Sequence, residues 1–424
     1  MSKGLPAPWR RSARVAAAAL AGLLVSSCAV LPPRLSPPPD LTTESRAFRP
    51  TLEAYTGAPA RSGNRVDLLL NGEQIFPAQL QAIRAARRTI TYAQYLYEDG
   101  PPARRIAEAI AARCRAGVKG HVLVDGVGSV QMPAQYRATL EDAGCEISVF
   151  HPLTPLAADK ANLRNHRRIL VVDGRVGFTG GSGASTQWMG DGRRDGYWRQ
   201  TDVRVQGPVV NDLQTAFVEN WLEATGRMLG GDGYFARQPD AGTVVAQVVR
   251  SSPGGTVSGV YATFLLTITA ARRSIYLTNP YFMPDAQITE AMLEARRRGV
   301  RIVLLLPGAI DRELVRKASR AGFGRLLDAG VEIYEYQSGL LHAKSMIVDG
   351  AWATVGSANL DSRSLALNEE VNLVAYDAGV AGRLEKVFFD DLAHAKRIDE
   401  KRWRARSPWE RFLAFLTQPL RSQL

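Results

Sequence analysis

The chain has 424 residues, 46% of them hydrophobic, and a formal net charge of +12. That composition excludes a disordered tail or a fibre and leaves room for more than one packed core. The positive balance favours anionic partners, either a phospholipid surface or nucleic acid, without choosing between them.

Residues 1–28 run from Lys3, Arg10, Arg11 and Arg14 into the apolar stretch VAAAALAGLLV and then Ser26, Ser27 and Cys28. This order predicts a secretory signal whose apolar core is too short to span a bilayer. Its ending, VSSC, resembles a bacterial lipoprotein signal, which implies cleavage before Cys28 and lipidation of that residue. A plain cleaved signal with an incidental cysteine is the alternative. Either way the chain is expected in the cell envelope, and the lipoprotein form implies a lipid anchor facing the periplasm. Residues 29–65, with Pro32, Pro33, Pro37, Pro38 and Pro39, read as a stiff tether.

The body that follows is a repeat. AARRTITYAQYLY (85–97) corresponds to AARRSIYLTNPYF (270–282), AGVKGHVLVDG (116–126) to RGVRIVLLLPG (298–308), and DAGCEISVF (142–150) to DAGVEIYEY (328–336). Apolar, β-branched runs such as HVLVDG alternate with helical patterns such as PARRIAEAIAARCRAG and ITEAMLEARRRG. That rhythm predicts an α/β fold of two similar lobes, 66–225 and 247–396, each a mostly parallel sheet with helices on its faces, packed about a pseudo-twofold axis. Glycine-rich residues 226–246 read as the linker. Cys114 and Cys145 form either a bridge or two buried thiols, and no cysteine cluster supports zinc.

Each lobe ends its repeat with one pattern: RNHRRILVVDGRVGFTGGSG holds His166, Arg168, Asp173, Gly181 and Ser182, and LLHAKSMIVDGAWATVGSAN holds His342, Lys344, Asp349, Ser357 and Asn359. A histidine and a cation two apart on a strand share a face. Side by side they suit a phosphate-bearing substrate, and a crevice between the lobes would bring the two histidines together. Asp202 in RQTDVRVQG and Glu370 in LNEEVNLV occupy corresponding places, where a carboxylate is expected to accept the Nδ1 proton of each histidine. Asp173 and Asp349 stand before glycine, open to a turn-stabilising role as much as to phosphate contact.

These motifs resemble the signature of the phospholipase D superfamily, H-x-K-x4-D-x6-G-S-x-N given twice, and the surrounding text most resembles its bacterial cardiolipin synthase branch. The second copy matches throughout. The first has Arg168 for lysine and Gly183 for asparagine. Arginine keeps the charge; loss of the amide puts substrate geometry in that lobe in question. The resemblance implies His166 as nucleophile, His342 as general acid, Lys344 and Arg168 as a charge clamp, Asn359, Ser357, Ser182 and Gly181 around the phosphate, and neither metal nor cofactor. It implies transfer of a phosphatidyl group to make cardiolipin from phosphatidylglycerol or another phospholipid donor. Phospholipase D hydrolysis is the alternative, followed by a nucleic-acid phosphodiesterase and an inactive lipid-binding module. Partners are expected to be anionic phospholipid membrane and phospholipid substrates; no aromatic-basic strand face argues for nucleic acid, and no obligate protein partner is inferred. Residues 397–424 read as a basic, aromatic amphipathic segment: Ser407, Pro408 and Glu410 form a helix start ahead of Trp409, Phe412, Leu413, Phe415 and Leu416. It suits either a bilayer surface or the protein's own body.

Overall fold

The apolar runs become buried strands and the amphipathic stretches become the helices that cover them. In the helix Pro101–Arg115, proline opens the first turn, where its missing N–H costs nothing, and Ala103, Ile106, Ala107, Ile110, Ala111 and Cys114 recur at helical spacing and are buried. Its counterpart Ala286–Arg297 starts on Asp285, whose carboxylate accepts the Ile288 N–H at 2.8 Å. A computed structural model describes residues 34–154, 160–194, 196–254, 257–309 and 313–405. The signal segment, Cys28, the first part of the tether and the stretch after Ala405 lie outside the described residues.

All but two of the strands belong to one twisted sheet. Across the first lobe the order is Ala60–Leu70, Thr201–Gln206, Val176–Thr179, Ile169–Val172, Thr89–Gln94, Lys119–Asp125, Glu146–Phe150. Across the second it is Val244–Ser251, Asn368–Tyr376, Trp352–Gly356, Ser345–Val348, Ser274–Thr278, Arg301–Pro307, Glu332–Tyr336, with Ala395–Arg397 at the outer edge. The two orders are the same, strand for strand, and Ala60–Leu70 joins Val244–Ser251 antiparallel at the seam. The duplication therefore becomes two α/β lobes on one continuous sheet. One hydrophobic cluster runs beneath both and includes Phe217 and Trp221 of helix Val209–Thr225 and Leu384 and Phe388 of helix Ala378–Leu392.

The sheet is mixed, where a mostly parallel one was expected. In each lobe only three neighbouring strands run parallel, Thr89–Gln94, Lys119–Asp125 and Glu146–Phe150 in the first, and Ser274–Thr278, Arg301–Pro307 and Glu332–Tyr336 in the second. The reason lies in the motifs themselves. Asp173 and Gly174 (φ 54° and 61°), and Asp349 and Gly350 (φ 54° and 65°), make tight hairpin turns that force the strands on either side antiparallel.

The range read as tether is partly folded. Helix Phe48–Thr56 buries Phe48 and Leu52 in the core of the second lobe, Leu41 is buried there too, and the first strand begins at Ala60. The apolar spacing that packs this helix was hidden behind the prolines before it. The linker also packs on the first lobe through Tyr234, whose hydroxyl lies 2.7 Å from Nε2 of His121. Cys114 and Cys145 are joined, with Cα atoms 5.6 Å apart, tying helix Pro101–Arg115 to the residue that leads into strand Glu146–Phe150. At the C-terminal end, the short helix Glu400–Arg404 buries Trp403 against Phe323, ring centroids 5.5 Å apart.

Candidate active site

Each motif is stitched to the opposite lobe. Arg164–Asn165 pairs with Asn368–Glu369 of the second lobe, and the His166 N–H donates to the Glu369 carbonyl at 2.9 Å. In mirror fashion Leu340–Leu341 pairs with Trp198–Arg199 of the first lobe, and the His342 N–H donates to the Arg199 carbonyl at 2.8 Å. These reciprocal strand pairs bring both histidines to one cleft of about 260 Å³, which Arg168, Asn359, Tyr95, Trp188, Trp198 and Tyr281 also line. Arg167, between His166 and Arg168 in the link from strand Arg164–Asn165 to strand Ile169–Val172, turns the other way, into a buried ion pair with Glu369 at 2.7 Å.

The cations lie against the rings as the spacing predicts. Arg168 donates to the His166 carbonyl at 2.8 Å and lies 2.9 Å from His166 Nε2, while Lys344 donates to the His342 carbonyl at 2.8 Å and lies 3.1 Å from His342 Nε2. Burial, helped by Arg168, pulls His166 down to about 4 despite the opposing pull of Glu370. Burial, Lys344 and Arg168 hold His342 well below the ordinary histidine range. Both rings are therefore neutral at pH 7.

The carboxylates behind the rings differ. Glu370 reaches across the lobe interface to His166 Nδ1 at 2.9 and 3.0 Å and also accepts from the Ser357 hydroxyl. A buried carboxylate is ordinarily pushed up, but His166 and these hydrogen bonds hold Glu370 below its usual value. An acceptor-only partner puts the proton on Nδ1 and leaves the Nε2 lone pair to accept from Arg168. Asp202 does not repeat this arrangement, against expectation. It is one methylene shorter, and its oxygens accept from the Gly181 N–H at 3.0 Å, from Gln200 Nε2 at 2.8 Å and from the Ser182 hydroxyl. The neutral Gln200 Oε1 stands 3.2 Å from His342 Nδ1 instead. Burial raises Asp202 above the usual aspartate range.

Asp173, Asp349, Ser357, Ser182 and Gly181 are not among the residues that line the cleft. Asp173 accepts the N–H groups of Arg87, Arg88 and Thr89, and Asp349 those of Arg272, Arg273 and Ser274, at 2.7–3.2 Å. Both carboxylates thus tie their hairpin turn to the start of a neighbouring strand, which is a structural rather than a catalytic use. Ser357 and Ser182 use their hydroxyls on Glu370 and Asp202, and Gly181 packs beside Lys344, where a Cβ would come 3.2 Å from Cδ. Asn359 does face the cleft, and its buried Oδ1 has no partner among the described residues.

The sequence reading passed over several cleft residues. Gln200 carried a signal, since it precedes Asp202 by the offset at which Asn368 precedes Glu370, and Asn368 also bonds its carboxylate, at 3.3 Å. Tyr95, edge-on to His166 with centroids 4.9 Å apart, and Trp188 and Trp198 beside His342 carried none. Asp361 also lines the cleft; burial, with Glu370 nearby, pushes it up to about 7.

A duplicated lobe that delivers one histidine and one cation from each half to a shared cleft is a phospholipase D-like architecture. The chain belongs to the family described as "Cardiolipin synthase, PLD-like domain", which matches residues 79–196 and again 264–392. It is 36% identical over 80% of its length to cardiolipin synthase 2 of Bacillus anthracis and 34% identical over 82% of its length to the cardiolipin synthase of Geobacillus kaustophilus. These matches span 66% and 70% of those relatives' own lengths. In fold it is similar to the crystal structure of phosphatidylserine synthase from Haemophilus influenzae, with TM-score 0.68 at 11% identity, covering 88% of this chain and 97% of that one.

Proposed function

We propose that this protein is a phosphatidyltransferase that makes cardiolipin from phosphatidylglycerol or another phospholipid donor through a phosphatidyl-histidine intermediate. The observation that carries the reading is the convergence of His166 and His342, each with its cation, on one cleft. The carboxylate behind His166 supports its assignment as nucleophile, because Glu370 makes Nε2 more basic and stabilises the charged ring that forms on attack. His342, backed by a neutral amide, serves as the acid that protonates the leaving alkoxide, and then as the base for the acceptor alcohol. An incoming phosphodiester adds negative charge beside both rings and raises their proton affinity. Lys344 and Arg168 neutralise the equatorial oxygens, and Asn359 hydrogen-bonds one of them.

A lipid surface suits the mouth of the cleft. Val127 and Val130 line it and are 39% and 66% exposed, and Leu153, on the adjoining loop, is 57% exposed. Among the described residues no helix is long and apolar enough to cross a membrane; attachment through a lipidated Cys28 in the cell envelope is part of the proposal.

Purified protein given phosphatidylglycerol vesicles should yield cardiolipin and glycerol in a mass-resolved lipid assay, and His166→Ala and His342→Ala should each abolish both products. Phosphatidic acid as the sole product would replace transfer by hydrolysis. Vesicle binding without turnover would replace both by a lipid-binding role, and cleavage of nucleic acid alone would overturn the lipid substrate.

A further inference from the structure

The first motif lacks the amide of the second, and something else occupies its place. Gly183 stands where Asn359 stands in the other lobe, and a Cβ built on Gly183 would lie 2.7 Å from Cζ3 and 2.9 Å from Cη2 of Trp188. Glycine is what lets the indole lie that close. The Trp188 ring is buried, 4.4 Å from the ring of Trp198 and edge-on to His342 with centroids 5.2 Å apart, while Trp198 lies 5.1 Å from His342. Tyr281 approaches the same ring, edge-on at 6.5 Å. The histidine assigned to activate the acceptor is therefore walled by aromatic carbon on the side where the repeat would put a polar amide.

We propose that Trp188, seated on Gly183, makes this side of the cleft select a lipid alcohol over water as the acceptor. The inference rests on the phosphatidyltransferase reading and addresses the partition of its intermediate. In that step the acceptor oxygen bonds to phosphorus as the bond from phosphorus to His166 Nε2 breaks. The electron pair returns to the imidazole, and the acceptor's proton passes to Nε2 of His342. An attacking water must be held by two or more polar partners. Indole carbon supplies none, the Trp188 ring offers only its single N–H donor, and the missing amide removes one more. A glycerol hydroxyl brings carbon of its own, which packs on the two indoles and orients the oxygen without needing those partners.

The test measures the ratio of phosphatidic acid to cardiolipin formed from phosphatidylglycerol vesicles by the full-length protein, Trp188→Ala and Trp188→Phe. Trp188→Ala should raise the ratio about tenfold, the scale set by losing an apolar pocket contact. Trp188→Phe, which removes the part of the ring over Gly183 and keeps an aromatic face, should raise it by about threefold, part of that effect. Either variant, folded by circular dichroism and consuming phosphatidylglycerol, overturns the proposal if its ratio equals that of the wild type. Should the alanine variant not fold, the phenylalanine variant decides alone. Wild-type protein that makes no cardiolipin ends the transferase reading and this inference with it, whereas wild-type cardiolipin synthesis with unaltered ratios in the variants ends only this inference.

Discussion

Replacing Glu370 by glutamine keeps the shape of the side chain and removes its charge, so it isolates what the second lobe does for the first lobe's histidine. Glu370 lies 2.9 and 3.0 Å from His166 Nδ1 and is fully buried. Hydrogen bonds to a charged group are worth about 1.5–3 kcal/mol; in the proposed attack by His166 an imidazolium forms, so that amount falls on the barrier. At 1.36 kcal/mol per decade the loss in kcat is about ten- to two-hundred-fold. The pH profile gives an independent readout. His166 is held at about 4, and Glu370 is among the groups that pull it upward. The proposed attack needs the neutral ring, so kcat/KM in the wild type should fall as the pH drops through about 4. Removing the carboxylate lowers the histidine further and shifts this acid limb to lower pH while the plateau falls. Vesicle turnover from pH 3.5 to 8, with thermal unfolding measured in parallel, tests both effects. A Glu370→Gln variant with activity within about twofold of wild type, or with lower activity and an unmoved limb, would refute the assigned role of Glu370.

Asp349→Ala should lose the three backbone hydrogen bonds at Arg272–Ser274, costing about 2–4 kcal/mol in urea unfolding, with far smaller effects on turnover per folded molecule than His342→Ala. Removing the bridge with Cys114→Ala and Cys145→Ala together opens a loop of sequence separation 31, and should cost about 3–4 kcal/mol at 25 °C by loop entropy, read as a lower Tm that reductant no longer changes. Asp361→Asn should stabilise the fold at pH 8 and do nothing at pH 3. Its folded pKa is raised from 3.8 to about 7, so the unfolded chain ionises first as pH rises. The penalty begins near pH 4, levels off above 7 and amounts to at most about 4 kcal/mol. Asparagine retains the capping bond to the Ser364 N–H, and a Tm difference independent of pH would refute the assignment.

Much of the cleft was legible because its chemistry is local. His166 and Arg168, like His342 and Lys344, are two apart in the three-residue link between one strand and the next, and that spacing alone reads as a pair on one face. The roles of Asp173 and Asp349 were only half legible. Asp-Gly announces a turn, but the three N–H groups that each carboxylate accepts come from residues 75 or more positions away. Parallel and antiparallel strands carry similar apolar text, which is why the mixed character of the sheet was missed. Helix Phe48–Thr56 shows the same limit: Phe48 and Leu52 have the spacing of a packing face, but only the second lobe gives that face something to cover.

By itself the sequence determined the duplication, the α/β character of each half and the identity of the two histidine and cation pairs, because each follows from spacing within a few residues or from text repeated along the chain. Tertiary structure alone decided which lobe supports which ring. Glu370 meets His166 and Gln200 meets His342 only because short strands cross the lobe interface. Whether a side chain reaches its partner there turns on a single methylene, the difference between Glu370 and Asp202, and no pattern along the chain measures that distance.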